Sequence, residues 1–363
     1  MPSEQLIKNF LSALFKEISL VREKFLKNKT ISTIYVGGGT PSRLSPAQIA
    51  TIFDWIFNSF EIESDAEITV ELNPEDVNLE LAITLHKIGV NRVSLGAQSA
   101  YNDELRFLGR PHSVRVSEKA YDILRKAGLD NINIDLIFGI PFGSLTKWAE
   151  SLKWAANLSP EHISTYSLTV EAGTPLENLV KDFRIKLPSD DELREYFALR
   201  DEILADHGFE RYEVSNYAKP GYESIHNLIY WTWNEYIGIG PSASSFLKIQ
   251  GTPTRWTSLA DLEAYINSLA NNELPPRNLE VLTEQQALLE KVFLGLRLSR
   301  GIALPDESIA EKIAVEFAHL VERSGRSIRL TFDGVMVADT LSLEIALELQ
   351  KLGLKPYEIR CNL

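Results

Sequence analysis

Ser32-Thr33-Ile34-Tyr35-Val36-Gly37-Gly38-Gly39-Thr40-Pro41 begins as a β-rich run and stops abruptly at three glycines. It reads as a strand that ends in a loop, and the apolar spacing over residues 46–57 predicts a helix after it. Ahead of it, Leu6, Phe10, Leu14, Ile18 and Val21 recur every three or four residues, which also predicts a helix. Behind it, strand-like segments at 67–72, 92–95, 131–138, 163–168 and 212–214 alternate with helical patterns at 114–126 and 190–207. Such alternation predicts βα units around a parallel sheet. Six strands are too few to close an eight-stranded barrel, which leaves a partial barrel or a doubly wound sheet.

After Pro220 the rhythm breaks into an aromatic-rich stretch, 222–246, followed by helical patterns at 259–269 and 284–298. The tail, Ser327-Ile328-Arg329-Leu330-Thr331 with Gly334 and an apolar helical run over 341–352, predicts a wing-like hairpin and a last helix. The expected organisation is a barrel over residues 1–220, a connecting aromatic segment over 221–270 and a smaller helical domain over 271–363.

The 363 residues carry a formal net charge of −13, which argues against a surface that grips nucleic-acid phosphates through clustered Lys and Arg. No run of 18 apolar residues occurs, and the start, MPSEQLIKNF, has neither a basic nor an apolar leader region, so a cytoplasmic location is expected. The one cysteine, Cys361, cannot form an internal disulfide or build a multi-cysteine metal site.

Side chains alternate along a strand, so each strand can be split into faces. Ile68, Val70 and Leu72 share one face of their strand, and Glu67, Thr69 and Glu71 the other. By the same count Val93 and Leu95, and then Ile132, Ile134, Leu136 and Phe138, turn towards helices. Ser94, Gly96 and Gln98, and then Asn131, Asn133 and Asp135, turn inward. Three strands thus converge on a polar interior, with Glu71, Gln98 and Asp135 at or just past the strand ends where α/β folds hold ligands. A hydrogen-bonded lumen without a ligand fits the same pattern. The glycines would let a ligand approach the backbone, or they form only a tight turn.

Gly37-Gly38-Gly39-Thr40-Pro41, Glu71-Leu72-Asn73-Pro74, Gly96-Ala97-Gln98-Ser99, Leu108-Gly109-Arg110-Pro111-His112 and the run Asn133 to Pro141 resemble, in order and spacing, the motifs of the oxygen-independent coproporphyrinogen III oxidase-like proteins of the radical S-adenosylmethionine family. The resemblance covers nearly the whole chain. It implies an α/β fold: a partial (β/α)6 TIM-like barrel, here without the first strand, and a carboxyl-terminal winged-helix-like domain. Carried over by position, it implies S-adenosylmethionine contacts at Gly38, Gly39, Thr40, Glu71, Gln98, Arg110 and Asp135. Arg110 could clamp a carboxylate in a bidentate pair or simply pair with Asp103.

His226-Asn227-Leu228-Ile229-Tyr230-Trp231 is similar to the H-N-x-x-Y-W signature of the haem chaperone branch, and the run Glu213 to Tyr222 has the same affiliation. This implies haem as cargo and haem-accepting proteins as partners, with His226, Asn227, Tyr230 and Trp231 as haem-site residues. A histidine beside aromatics is also a common packing residue, and both readings stand. The family's cysteine loop, C-x-x-x-C-x-x-C, which holds a [4Fe–4S] cluster, is absent from this sequence, so no cluster, no radical chemistry and only weak S-adenosylmethionine binding are expected. Gly240-Pro241-Ser242-Ala243-Ser244 also departs from the family's G-x-G-A-H, with Ser244 in place of a histidine. A coproporphyrinogen III oxidase whose cluster loop is missing is the alternative reading.

Overall fold

The computed structural model describes residues 3–362. In chain order the elements begin with α1 (Glu4–Lys24), β1 (Thr30–Val36), α2 (Pro46–Ser59), β2 (Glu61–Leu72), α3 (Leu79–Lys87), β3 (Arg92–Gln98), α4 (Asn102–Phe107), α5 (Val114–Lys126) and β4 (Ile132–Phe138). They continue with α6 (Leu145–Asn157), β5 (His162–Ser167), α7 (Pro175–Lys181), α8 (Asp190–Asp206), β6 (Glu210–Arg211), β7 (Asn216–Ala218) and α9 (Ile225–Trp231). Next come β8 (Ser244–Ile249), β9 (Thr252–Ser258), α10 (Leu262–Ala270), β10 (Arg277–Val281), α11 (Glu284–Gly295) and β11 (Ile302–Ala303). The last are α12 (Glu307–Glu316), β12 (Val321–Ser324), β13 (Ser327–Leu330), α13 (Phe332–Met336), α14 (Ala338–Lys351) and β14 (Arg360–Cys361). Two compact units result: residues up to Thr33, Ala50–Ala66 and Ile225 onward in one, and Ile34–Ile49 with Glu67–Ser224 in the other.

A seven-stranded sheet runs in the order β1-β2-β3-β4-β5-β7-β6. Strands β2 to β5 pair in parallel, and the connecting helices bury the apolar face the alternation predicted: Val93, Leu95, Ile132, Ile134 and Leu136 are all buried. With its curled sheet and flanking helices, the architecture is the expected α/β partial barrel. The sheet ends differently from the expected strand at 212–214. Glu213 Oε1 accepts the Ser215 N–H at 3.1 Å, which turns the chain locally, so 212–215 becomes the bend of a short β6–β7 hairpin whose β7 lies antiparallel on β5.

In the other unit, α1 starts at Ser3, whose hydroxyl accepts the Leu6 N–H, and its apolar stripe meets α10 through Ala13, Tyr265 and Leu269. The helical pattern at 259–269 settles as α10, started by Asp261, whose carboxylate accepts the Ala264 N–H. Strands β8, β9 and β10 form an antiparallel sheet. Thr283 and Gln286 cap α11 reciprocally, and α11 packs with α14 over a core that includes Val292, Ile313, Ile345 and Leu349. The expected hairpin is β12–β13, turning at Gly325, while Gly334 lies in α13. No helix among the described residues is long and apolar enough to cross a membrane.

Candidate functional site

The glycine turn after β1 is closed by a carboxylate from β2. Tyr35 O–H donates to Glu71 Oε1 at 2.7 Å, and Gly38 N–H donates to Oε2 at 3.0 Å. A Cβ on Gly37 would come within 2.6 Å of Glu71 Cδ and of Tyr35 Cε1, so only glycine leaves room for this approach. Gly38 and Gly39 have φ of 77° and 57°, and a Cβ on either would meet no atom within 4 Å: the outer side of the turn is open. Thr40 follows without a side-chain cap hydrogen bond to the short helix it precedes.

The inward-facing polar residues of β2 to β5 form a continuous hydrogen-bond chain. Ser94 Oγ donates to Asp135 Oδ2 at 2.8 Å, and Asn133 Nδ2 donates to Ser94 Oγ and Asp135 Oδ1 at 2.7 and 2.8 Å. Burial pushes the half-buried Asp135 carboxyl above the usual aspartate range, opposed by these donors and reinforced by the Glu71 charge. His162 continues the chain with Nδ1 2.7 Å from Asn133 Oδ1 and Nε2 2.8 Å from the Tyr212 hydroxyl. Burial holds this imidazole well below the usual histidine range. It is therefore neutral, with Nδ1–H donating to Asn133 and Nε2 accepting from Tyr212. Ser224 Oγ donates to Glu67, which lies 3.9 Å from the buried Arg92. Two buried atoms of the lumen, Thr69 Oγ1 and Arg92 Nε, lack hydrogen-bond partners although their residues face each other across β2 and β3. The lumen thus satisfies most of its own polar groups, and these two atoms belong to residues at the level where β3 begins, one step below the Glu71–Ser94 pair.

Gln98 is buried at a register shift in β3, with a left-handed φ of 68°. A bulged, non-glycine left-handed residue at a strand end is a common device for re-aiming a side chain. Arg110 follows α4, and its guanidinium makes no hydrogen bond or ion pair among the described residues. The competing partner foreseen for it, Asp103, pairs instead with Lys147 at 2.6 Å. His112 anchors the segment, its Nδ1 3.0 Å from Glu75 and its Nε2 3.3 Å from the Ala97 carbonyl. The structure therefore joins Gly38 to Glu71 by a hydrogen bond and links Glu71 to Asp135 electrostatically. Arg110 is left with an open donor edge.

The second candidate group lies on α9, in the other unit. His226 Nδ1 is 2.8 Å from Thr33 Oγ1, and Nε2 is 2.7 Å from the Tyr230 hydroxyl one helical turn on. The Tyr230 ring stands edge-on to His226 and, at 4.5 Å between centroids, to Tyr236. Trp231 buries its indole N–H without a partner, with Arg297 6.0 Å from its ring. Both ring nitrogens of His226 are thus engaged, and an iron ligand at this position must first release one of them.

Cys361 lies in β14, and a Cβ on Gly295 would come within 2.9 Å of its sulfur; burial pushes its thiol up to about 11, against the pull of Lys291. Among the described residues no group of three His, Cys, Asp or Glu side chains is placed to hold a metal ion.

Sequence reading did not single out Thr33 or Tyr35. Each is one residue in a β-rich run, and only the fold gives them His226 and Glu71 as partners.

Residues 15–155 match the family model described as the radical SAM superfamily. The chain is 34% identical over 300 residues to the protein named heme chaperone HemW of Bacillus subtilis (strain 168), covering 82% of this chain and 78% of that one. It is 35% identical over 335 residues to the heme chaperone HemW of Mycobacterium tuberculosis (strain H37Rv), covering 92% and 85%. Among solved structures it resembles the Escherichia coli coproporphyrinogen III oxidase HemN, described as a radical SAM enzyme, with a TM-score of 0.78 over 96% of this chain and 85% of that one. That pair is 22% identical, so the likeness concerns the fold.

Proposed function

Since this chain belongs to the heme chaperone HemW family within the radical SAM superfamily, we propose that it binds haem and passes it to acceptor proteins, with α9 as the haem-contacting element. The observation that carries this reading is the α9 cluster, in which the His226 imidazole can offer one nitrogen to iron while Tyr230 and Trp231 provide aromatic surface for a porphyrin. Asn227 shares the same helix. The relatives carry the haem chaperone name rather than that of an oxidase, which favours the carrier reading over the decarboxylase alternative.

S-adenosylmethionine is the ligand we assign to the lumen. Gly38, Gly39 and Thr40 offer an open backbone edge, Glu71 and Asp135 offer acceptors for an amino group or hydroxyls, Gln98 is re-aimed by its bulge, and Arg110 offers a free fork for a carboxylate. The residues present do not fit a [4Fe–4S] cluster, which takes several thiolates, because the sequence supplies one cysteine and burial keeps it protonated. Affinity for S-adenosylmethionine is accordingly weak.

Replacing His226 with Ala tests the haem reading. The Soret band is expected to shift, or haem affinity to fall about tenfold, the equivalent of about 1.4 kcal/mol. A His226→Ala protein with unchanged fold, Soret band and affinity would remove His226 from the site.

A further inference from the structure

The two nitrogens of His226 are held by different kinds of hydroxyl. Nδ1 meets Thr33 in β1, and Nε2 meets Tyr230 on the same helix. To ligate iron the imidazole must be neutral, with one N–H and one lone pair, and in that form one hydroxyl accepts and the other donates. A phenol is a more acidic donor than an aliphatic alcohol, so Tyr230 O–H donates to the lone pair and the proton sits on Nδ1, donating to Thr33 Oγ1. Thr33 is β-branched and lies in a strand, which restricts its χ1 and keeps that acceptor in place. Tyr230 caps a lone pair that is already formed.

We propose that Nε2 of His226 is the iron-binding nitrogen, that Thr33 is the positioning residue that fixes its tautomer and ring plane, and that Tyr230 is a hydroxyl cap which incoming haem displaces. This rests on the reading that His226 binds haem. An acceptor on the far nitrogen of a ligating histidine raises its basicity and orients its ring, and loss of such partners typically costs about ten- to a hundredfold in metal affinity. The cap acts in the opposite sense, because its hydrogen bond must be broken before iron can bind.

The two residues are therefore expected to shift haem affinity in opposite directions, and haem titration of the full chain, followed by the Soret band, reads both. Thr33→Val is expected to weaken binding about tenfold and broaden the band, and Thr33→Ser to restore both. Tyr230→Phe, which keeps the ring and removes the hydroxyl, is expected to tighten binding about fivefold, the value of one ordinary hydrogen bond. Circular dichroism of each variant confirms that the fold is intact, and the Ser rescue separates positioning from a packing defect. If His226→Ala lowers affinity while Thr33→Val matches the parent, or while Tyr230→Phe weakens binding, this assignment fails and the haem reading stands. If His226→Ala changes nothing, the reading beneath it fails as well.

Discussion

Glu71 Oε2 accepts the Gly38 N–H at 3.0 Å, so the carboxylate near the end of β2 fastens the turn at the end of β1. Two groups that the family resemblance assigns separately to a ligand satisfy one another here. A ligand reaching this turn meets the open faces of Gly38 and Gly39 and the remaining acceptor capacity of Glu71, rather than a free Gly38 N–H.

Gly37→Ala tests how tightly that fastening is built. Its Cβ would lie 2.6 Å from Glu71 Cδ and Tyr35 Cε1, and Tyr35 is tied to the same carboxylate. Overpacking of this kind costs about 1–3 kcal/mol, so the urea midpoint is expected to fall with an unchanged m-value. An unchanged midpoint would show that Glu71 and Tyr35 relax without cost.

Calorimetric titration with S-adenosylmethionine is expected to give weak or undetectable heat. Glu71 and Asp135 offer hydrogen-bond acceptors and Arg110 a donor, but the single cysteine of the sequence cannot hold a cluster iron to chelate the amino and carboxylate groups. A submicromolar dissociation constant would show that the protein side chains suffice on their own.

What the sequence disclosed and what it hid have the same physical origin. Alternation along a strand is local, so the inward set Glu67, Thr69, Glu71, Ser94, Gly96, Gln98, Asn131, Asn133 and Asp135 was legible before any fold was known, and the structure joins Ser94, Asn133 and Asp135 by hydrogen bonds and pairs Glu67 with Arg92. Partners distant in sequence were not legible: Thr33 and His226 are 193 residues apart, and nothing in a β-branched run announces an imidazole. A strand was expected at 212–214, where the chain instead bends between β6 and β7, because a side-chain bond from Glu213 turns it where the sequence alone reads as extended. Likewise the 3.6-residue spacing of α1 shows that it has a buried stripe, but not that the stripe meets α10.

Anaerobic incubation of the 363-residue chain with iron and sulfide is expected to leave no stoichiometric [4Fe–4S] cluster, since Cys361 is the only thiol and is held protonated. About four irons per chain, with broad visible absorbance, would overturn that.

Glu213 opens the run Glu213 to Tyr222, whose sequence resembles that of the haem chaperone branch. Its carboxyl is buried, Oε2 has no partner, and neither does Oδ1 of nearby Asn216. Burial raises its pKa to about 7, although the Ser215 N–H, Asn216, Arg200 and Arg211 all act to lower it. In the unfolded chain the same group titrates near 4.5. Between these values the folded state holds a proton that the unfolded state has lost, so stability falls as pH rises from about 4.5 through about 7. The neutral His162 works in the other sense: its folded pKa is depressed, so stability is lost as pH drops below the usual histidine range. The two slopes overlap in the parent protein, and the difference between parent and Glu213→Gln isolates the glutamate. The amide carries no charge and can donate to Asn216 Oδ1, so it is expected to match or trail the parent near pH 5 and to exceed it at pH 8. A rise from 4.5 to about 7, at about 1.4 kcal/mol per unit, sets the swing at about 3 kcal/mol. Chemical denaturation of both proteins at pH 5, 6, 7 and 8 measures it, and a stability difference that does not change with pH would mean that Glu213 is ionised in the folded protein throughout this range.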